Sequence, residues 1–162
     1  MKTIETDLFR SAMCRLASAV TLITTDGPAG RRGLVATAVT SITDDPPNIL
    51  VCVNKSARSN AMIKQNGAFA VNVLNEGQEG LVGAFMSKSG DDPFDKSDVW
   101  TSLETGAPIL KESLASLDCV LDQIINIGTH SLFVGHVTEV RIGTQSSALV
   151  YFDRAFCSVA AK

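Results

Sequence analysis

The chain has 162 residues, the size of one domain of about 100–200 residues. Hydrophobic residues make up 45% and charged residues 19%, so a full core is available and global disorder is excluded. The formal net charge of −3 argues against the basic face of a protein that binds nucleic acid or an anionic membrane. We therefore expect a single domain over residues 1–162, with no nucleic-acid or membrane partner.

Local composition indicates the cellular compartment of the protein and the redox state of its cysteines. The N-terminal residues lack the apolar core of a signal peptide. The longest stretch without Asp, Glu, Lys or Arg, residues 123–138, contains Asn, Gly, Thr, Ser and two His, so it does not fit a bilayer span. These features predict a cytoplasmic protein. The four cysteines, at positions 14, 52, 119 and 157, lack metal-ligand spacing, so we expect no metal site. We expect all four to be reduced and to serve as small apolar side chains that fill space.

The first third of the chain predicts a helix and a hairpin. Thr6 or Asp7 can cap a helix whose apolar residues recur at helical spacing between positions 8 and 16. Residues 19–25 are β-branched and predict a strand, and residues 26–30 predict a hairpin loop. The return strand is expected to start near Gly33 and to continue through residues 37–42.

The middle of the chain predicts two strands and two short helices. The Asp-Asp-Pro-Pro segment at residues 44–47 is expected to leave the sheet, because proline cannot donate a ladder hydrogen bond. Residues 48–53 predict a buried strand, after which Ser56 or Ser59 can cap a helix that Gly67 ends. A strand at 69–74 follows, and Asn75 and Gln78 match a capping box for a helix through residue 85.

The last part predicts a long loop and then mostly strands. Residues 87–98 are polar, contain Gly and Pro, and predict a loop of the kind that often binds or covers a ligand. A short strand starts at Trp100, long strands follow at 117–127 and 131–142, and two short strands end the chain. About eight strands with three short helices and hairpin-like connections predict a mainly β fold, an antiparallel barrel.

Two stretches suggest a binding site. Residues 54–59 (NKSARS) place two hydroxyls, a Lys and an Arg at a helix start, where N–H groups lack partners. This is the charge and dipole pattern of an anion site, although an ordinary helix start with surface charges has the same pattern. The small and hydroxyl-bearing residues Thr37, Ala38, Thr40 and Ser41 could support a flat ring.

The usual catalytic and cofactor signatures are absent. Gly27, Gly30 and Gly33 do not form the dinucleotide motif, and neither a phosphate-binding P-loop motif nor a Ser-His-Asp or Cys-His set can be assembled. His130 and His136 stand six residues, about 20 Å, apart on one predicted strand, too far to share a metal. His130, in a polar turn, is the one expected to face a ligand.

Ordered motifs along nearly the whole chain carry a specific likeness to a known family. They are FRSAMCRLASAVTLITT, GLVATAVTSITDDPPNILVCVNKSARS, FAVNVL, TGAPIL, GTHSLFVGHV and ALVYFDRAF. With them the chain resembles the flavin reductase family, the reductase components of two-component flavin monooxygenases such as the 4-hydroxyphenylacetate 3-monooxygenase type. The resemblance implies a Greek-key split β-barrel that forms a homodimer and binds FMN, or FAD in some members.

The resemblance also implies roles for particular residues. Residues 36–41 would line the isoalloxazine ring, and residues 53–59 would hold the ribityl chain and phosphate, with Ser56, Arg58 and Ser59 as phosphate ligands. His130 would meet the nicotinamide of NADH or NADPH, and Tyr151, Asp153 and Phe9 would form pocket walls. The full cofactor-binding set so implied is Ala36, Thr37, Ala38, Thr40, Ser41, Val53, Asn54, Lys55, Ser56, Arg58, Ser59 and Tyr151.

The mechanism implied by the resemblance is hydride transfer from nicotinamide to flavin, which asks the protein to stack and orient two rings. The expected activity is an NAD(P)H-dependent flavin reductase that supplies reduced flavin to an oxygenase component. Two alternatives stay open: a reductase with tightly bound FMN that acts on another acceptor, such as the corrin of cobalamin synthesis, and a non-catalytic flavin-binding module.

Overall fold

A computed structural model describes residues 3–87, 92–95 and 97–160 of the chain. Within them lie three α-helices, α1 (Thr6–Met13), α2 (Arg58–Asn66) and α3 (Glu79–Met86), and two 3₁₀ turns, Glu76–Gln78 and Ser97–Val99. The strands are β1 (Ser18–Ala19), β2 (Thr21–Thr25), β3 (Arg32–Ala36), β4 (Val39–Asp44), β5 (Pro47–Asn54), β6 (Ala68–Val73), β7 (Trp100–Ser102), β8 (Pro108–Leu110), β9 (Ala115–Ile127), β10 (His130–Ile142), β11 (Ser147–Phe152) and β12 (Ala155–Ala160).

The strands form sheets of seven, three and two strands, and their pairings are antiparallel. The seven-stranded sheet has the order β3-β2-β6-β9-β10-β5-β4. Its two edge strands, β3 and β4, are consecutive in the chain, with only residues 37 and 38 between them. The sheet therefore curls until its edges approach each other at residues 36–38, which we call the seam. The predicted mainly β, antiparallel barrel is confirmed.

Both faces of the seven-stranded sheet are covered around β2. Along β2 every residue is buried, and neighbouring side chains point to opposite faces. Ile23 packs with Val51, Phe69 and Phe133 in one apolar cluster, whereas Leu22 packs with a second cluster that includes Trp100. α3 covers this second cluster and α2 the first, so the start of α2 is positioned beside the seam.

Several predicted boundaries need correction. The return strand is interrupted at the seam, because β3 pairs with β2 while β4 pairs with β5. The Asp-Asp-Pro-Pro turn is tighter than expected: Asp44 still pairs with Pro47, and only Asp45 and Pro46 leave the sheet. The predicted count of about eight strands is too low, since the return strand splits in two and short strands such as β1 and β8 carry little pattern.

The helix caps were predicted with mixed success. The capping box is confirmed: Asn75 Oδ1 accepts from Gly77 N–H at 2.9 Å, and Gln78 Oε1 accepts from Asn75 N–H at 3.0 Å. Gly67, with φ of 69°, ends α2 as predicted. In contrast, Glu5 precedes α1 and Ala57 precedes α2, and neither helix start has a side-chain cap, so the expected caps at Thr6, Asp7, Ser56 and Ser59 are wrong.

Only part of the predicted loop at residues 87–98 belongs to the described structure, because residues 88–91 and 96 lie outside it. Residues 92–95 do not simply face solvent. Phe94 is 6% exposed and packs against Phe85 and Trp100, with ring centroids 5.2 and 4.9 Å apart. This segment is therefore attached to the second apolar cluster.

The cysteines differ in environment. Cys119 is buried, as expected of a filler, and burial together with Asp118 raises the pKa of its thiol to about 12. Cys157 is exposed on β12, so the expectation that all four are apolar fillers is wrong. Among the residues described, no helix combines the length and apolarity that a membrane span requires.

Candidate functional site

A cavity of about 490 Å³ opens at the seam of the barrel. Its walls come from β3, the start of α2, the last turns of α3 and the β11–β12 hairpin. The lining residues are Val20, Arg32, Gly33, Leu34, Val35, Ala36, Thr37, Ala57, Arg58, Ser59, Val82, Phe85, Met86, Tyr151 and Phe156. We call this space the main cavity.

One wall of the main cavity is an edge strand. β3 pairs with β2 on one side only, so alternate peptide groups of β3 point away from the sheet toward the open edge. Gly33 lets the Phe85 ring close the wall, because a Cβ there would lie 2.4 Å from a ring carbon. The wall is thus built from small residues and exposed backbone, a surface on which a flat ring can lie and form hydrogen bonds.

The opposite wall, at the start of α2, carries donors without partners. No hydrogen bond within the described residues uses the N–H groups of Arg58 and Ser59, and the preceding Ala57 offers no side-chain cap. Ser59 is only 4% exposed as a residue, but its hydroxyl keeps accessible surface at the cavity and has no hydrogen-bond partner among the described residues. Together with the Arg58 guanidinium, these groups form a site suited to an anion.

Residues 54–56, just before α2, are engaged in local hydrogen bonds instead. Asn54 Oδ1 accepts from the N–H of Ser56 at 2.9 Å and from its hydroxyl at 2.8 Å. Lys55 ties this turn to the β9–β10 turn: its Nζ donates to Gly128 O at 2.8 Å and its N–H to Thr129 O at 2.9 Å. The geometry gives Asn54, Lys55 and Ser56 a role in shaping the α2 entrance.

His130 is held close to this turn. It begins β10 and pairs with Asn54 of β5, and its Nδ1 lies 2.9 Å from Thr129 Oγ1. This contact leaves Nε2 as the ring nitrogen available to a ligand. His130 does not line the main cavity.

A second cavity, of about 880 Å³, adjoins the main one and shares Thr37 and Tyr151 with it. α1 contributes Phe9 to its wall, and Ala38 and Arg154 also line it. The pKa of Arg154 is raised, chiefly by a hydrogen bond to the Cys14 thiol. The two cavities therefore lie side by side at the seam.

The predicted site residues are therefore distributed as follows. Those in the main cavity are Ala36, Thr37, Arg58, Ser59 and Tyr151, and the second cavity adds Ala38 and Phe9. Those outside both cavities are Thr40, Ser41, Val53, Asn54, Lys55, Ser56, His130 and Asp153. Val53 is 1% exposed and belongs to the barrel core, whereas Asp153 forms an ion pair of 3.3 Å with Arg15.

Sequence reasoning gave no site role to several wall residues, among them Arg32, Phe85, Met86 and Phe156, whereas Ala57 lies within the implied range 53–59. Strand alternation could have found Arg32, because it shares a face with Leu34 and Ala36 on β3. Phe85 and Met86 had no such signal, since their position depends on how α3 packs on the barrel.

Fold and site together define a class of protein: an antiparallel barrel with a cleft at its seam that suits a ring-bearing, phosphorylated ligand. The model of the flavin reductase-like domain family matches residues 13–160, and the chain belongs to this family. Its split-barrel architecture is that of the family's solved structures.

Individual relatives agree with this assignment. FMN reductase (NADH) RutF of Serratia proteamaculans strain 568 is 43% identical over 156 residues, which cover 96% of this chain and 89% of that protein. BorF, the flavin reductase component of a bacterial two-component tryptophan halogenase, has a TM-score of 0.90 and 30% identity, and the match covers 98% of this chain and 100% of BorF. The NADH:FAD oxidoreductase SgcE6 of Streptomyces globisporus C-1027 has a TM-score of 0.88, 28% identity and 99% coverage of both chains.

Proposed function

We propose that the protein is an NADH-dependent FMN reductase that supplies reduced flavin to a partner monooxygenase. The observation that carries this proposal is the set of donors in the main cavity that have no partner among the described residues: the N–H groups of Arg58 and Ser59, the accessible Ser59 hydroxyl and the Arg58 guanidinium. These groups fit the phosphate of FMN by charge, by dipole and by hydrogen-bond chemistry.

The remaining walls fit the rest of that ligand. The open edge of β3 and the backbone at Ala36 and Thr37 offer peptide groups to a polar ring edge, and Tyr151 supplies an aromatic side wall. When bound, FMN supplies a ring that accepts a hydride from the nicotinamide. The chain's own contribution would be to bind the phosphate at the start of α2 and to orient the ring against β3.

His130 is proposed to position the nicotinamide nucleotide. Lys55 fixes the turn that carries it against the α2 entrance, so His130 lies on the same side of the barrel as the phosphate donors. Its Nε2 is the group available to a ligand, since Nδ1 contacts Thr129. Replacement of His130 is expected to alter KM for NADH more than FMN affinity.

Two further proposals concern assembly and location. The apolar side chains of α1 are exposed in a single chain, with Leu8 66%, Phe9 57% and Met13 46% exposed. Such a patch is unusual on a monomer and supports a homodimer that covers α1 and the adjoining cleft. We also propose that residues 1–162 form one domain that works in the cytoplasm, in keeping with four free cysteines.

The proposed activity is tested by mixing the purified protein with NADH and excess FMN and following the loss of NADH absorbance. NADH oxidation that requires both protein and FMN is expected. Binding of FMN without NADH oxidation would contradict a reductase and favour the flavin-binding module. Oxidation only after a corrin is added would favour the other acceptor.

The phosphate site is tested by Arg58→Ala. We expect the Kd for FMN to rise roughly 10–100-fold, because a charge-assisted hydrogen-bond donor is lost. Turnover at saturating FMN should change much less. Lys64→Ala is the matched control, since it removes the same charge from the same helix but lies over the Phe133 ring, away from the cavity. Equal FMN affinity in the two variants would contradict the site.

A further inference from the structure

Two neighbouring arginines, Arg31 and Arg32, differ in what they contact. Arg31 Nε donates to Asp26 Oδ2 at 2.8 Å, and its guanidinium lies 5.6 Å from the centroid of the Phe94 ring. Arg32 has no hydrogen bond or ion pair within the described residues, and it lines the main cavity. Arg31 is thus committed to a structural pair, while Arg32 is free to bind a ligand.

Among the described residues, the lining of the main cavity contains two arginines and no acidic residue. Arg58 lies on the α2 wall and Arg32 on the β3 wall. The two walls are neighbours, because Leu34 and Ala36 of β3 pack on the same apolar cluster as Ala57.

Arg32 and Ala36 stand at opposite ends of β3, four residues or about 13 Å apart along a strand. α2 runs beside β3: Asn66 of its last turn donates to Gly30 O at 3.0 Å, while Ala57 just before its start packs on the same apolar cluster as Leu34 and Ala36. Arg32 and Arg58 therefore come from different elements and border the same space, the main cavity.

We propose that Arg32 is a second phosphate-binding residue, which together with Arg58 selects the dianionic phosphomonoester of FMN. This inference rests on the proposed function of the main cavity. A phosphomonoester carries about −1.5 to −2 charges at neutral pH, because the second pKa of its phosphate is about 6. Arg58 and the α2 N-terminus balance only part of that charge, and Arg32 balances the rest.

The test compares FMN and riboflavin, which differ only in the phosphate, by quenching of flavin fluorescence. For Arg32→Ala we expect the Kd for FMN to rise about 5–20-fold, the loss of one exposed charge-assisted contact, with no change for riboflavin. Arg32→Lys keeps the charge and should recover most of the affinity. Arg31→Ala, the matched control, should bind both flavins as the unmodified protein does.

The pH dependence gives a second readout. The preference for FMN over riboflavin should fall as the pH drops through the second phosphate pKa near ~6, and Arg32→Ala should flatten this fall. Identical FMN affinity in Arg32→Ala and Arg31→Ala would overturn the inference, as would an equal loss of FMN and riboflavin binding. If the unmodified protein bound no FMN, the proposed function itself would fail.

Discussion

Two groups of buried polar residues differ in whether their hydrogen bonds are satisfied. Asn72 on β6 is fully buried; its Nδ2 donates to Leu22 O and Thr24 Oγ1 at 3.1 Å, and its Oδ1 accepts from Leu110 N–H and Ser116 Oγ at 2.8 Å. Ser59 on α2 is 4% exposed as a residue, but its hydroxyl keeps accessible surface at the main cavity and has no partner among the described residues. We call the first group the Asn72 network.

This difference distinguishes polar residues that stabilise the fold from polar residues that can bind a ligand. The Asn72 network joins β2, β6, β8 and β9, so its partners come from the fold itself. The donors at Ser59 and Arg58 face the main cavity, so their partner must come from a ligand or from water. Changes in the first group should act on stability, and changes in the second on ligand affinity.

The largest effect is expected from Asn72→Ala. The Leu110 N–H and the Ser116 hydroxyl would lose an acceptor in the interior, which should lower the free energy of unfolding by about 3–5 kcal/mol. Urea denaturation measures this change. Asn66→Ala is the control, because Asn66 also forms three hydrogen bonds but is only half-buried, and we expect a smaller loss. A loss below about 1 kcal/mol for Asn72→Ala would show that the network is not structural.

A sharper test compares two buried serines. Ser116→Ala removes a satisfied hydroxyl, which should cost about 1–2 kcal/mol of stability and leave FMN affinity unchanged. Ser59→Ala removes an unsatisfied hydroxyl, which should leave stability within about 0.5 kcal/mol and raise the Kd for FMN about 3–10-fold. Denaturation and flavin titration of both variants check this. The distinction fails if Ser59→Ala destabilises the protein as much as Ser116→Ala does.

The smallest effect concerns the buried thiol of Cys119. Its pKa is raised from the ordinary 9.0 to about 12, first by burial and then by Asp118, so the unfolded chain loses the proton at lower pH than the native one. The stability contributed by the neutral thiol is full below pH 9 and is lost as the pH rises toward 12. Between pH 8 and 10 the loss should reach about 1 kcal/mol.

Cys119→Ala removes this titration, so its stability should fall less over the same pH range. Cys157→Ala is the control, because it removes an exposed thiol instead of the buried one. Identical pH dependence in the unmodified protein and in Cys119→Ala would show that the thiol does not titrate differently in the two states.

Local structural features were predicted correctly where they depend on a few neighbouring residues. The capping box at Asn75 and Gln78 and the helix end at Gly67 follow from side-chain and backbone chemistry within one turn. The interruption between β3 and β4 was missed, because residues 36–38 contain no Gly or Pro and read as a continuous strand. That break depends on which neighbour each half pairs with.

The candidate site shows the same division. Arg58 and Ser59 were found because an anion site at a helix start lies within one short segment of the chain. Arg32, Phe85 and Phe156 were missed, because they come from three other elements that meet only after the barrel curls. The expected phosphate role of Ser56 assumed that it was free, whereas its hydroxyl is used by Asn54.

By itself, the sequence determined the antiparallel class of the fold and most of the strand-forming segments, and it predicted an anion site at residues 54–59. Periodicity, propensity and charge are properties of neighbouring residues, and they can be read without knowledge of the fold. Only the tertiary structure decided where the barrel closes, which arginine side chain lines the main cavity and which hydroxyl lies at that cavity without a partner among the described residues. Each of these depends on contacts between residues far apart in the chain, and these contacts form only when the two edge strands meet.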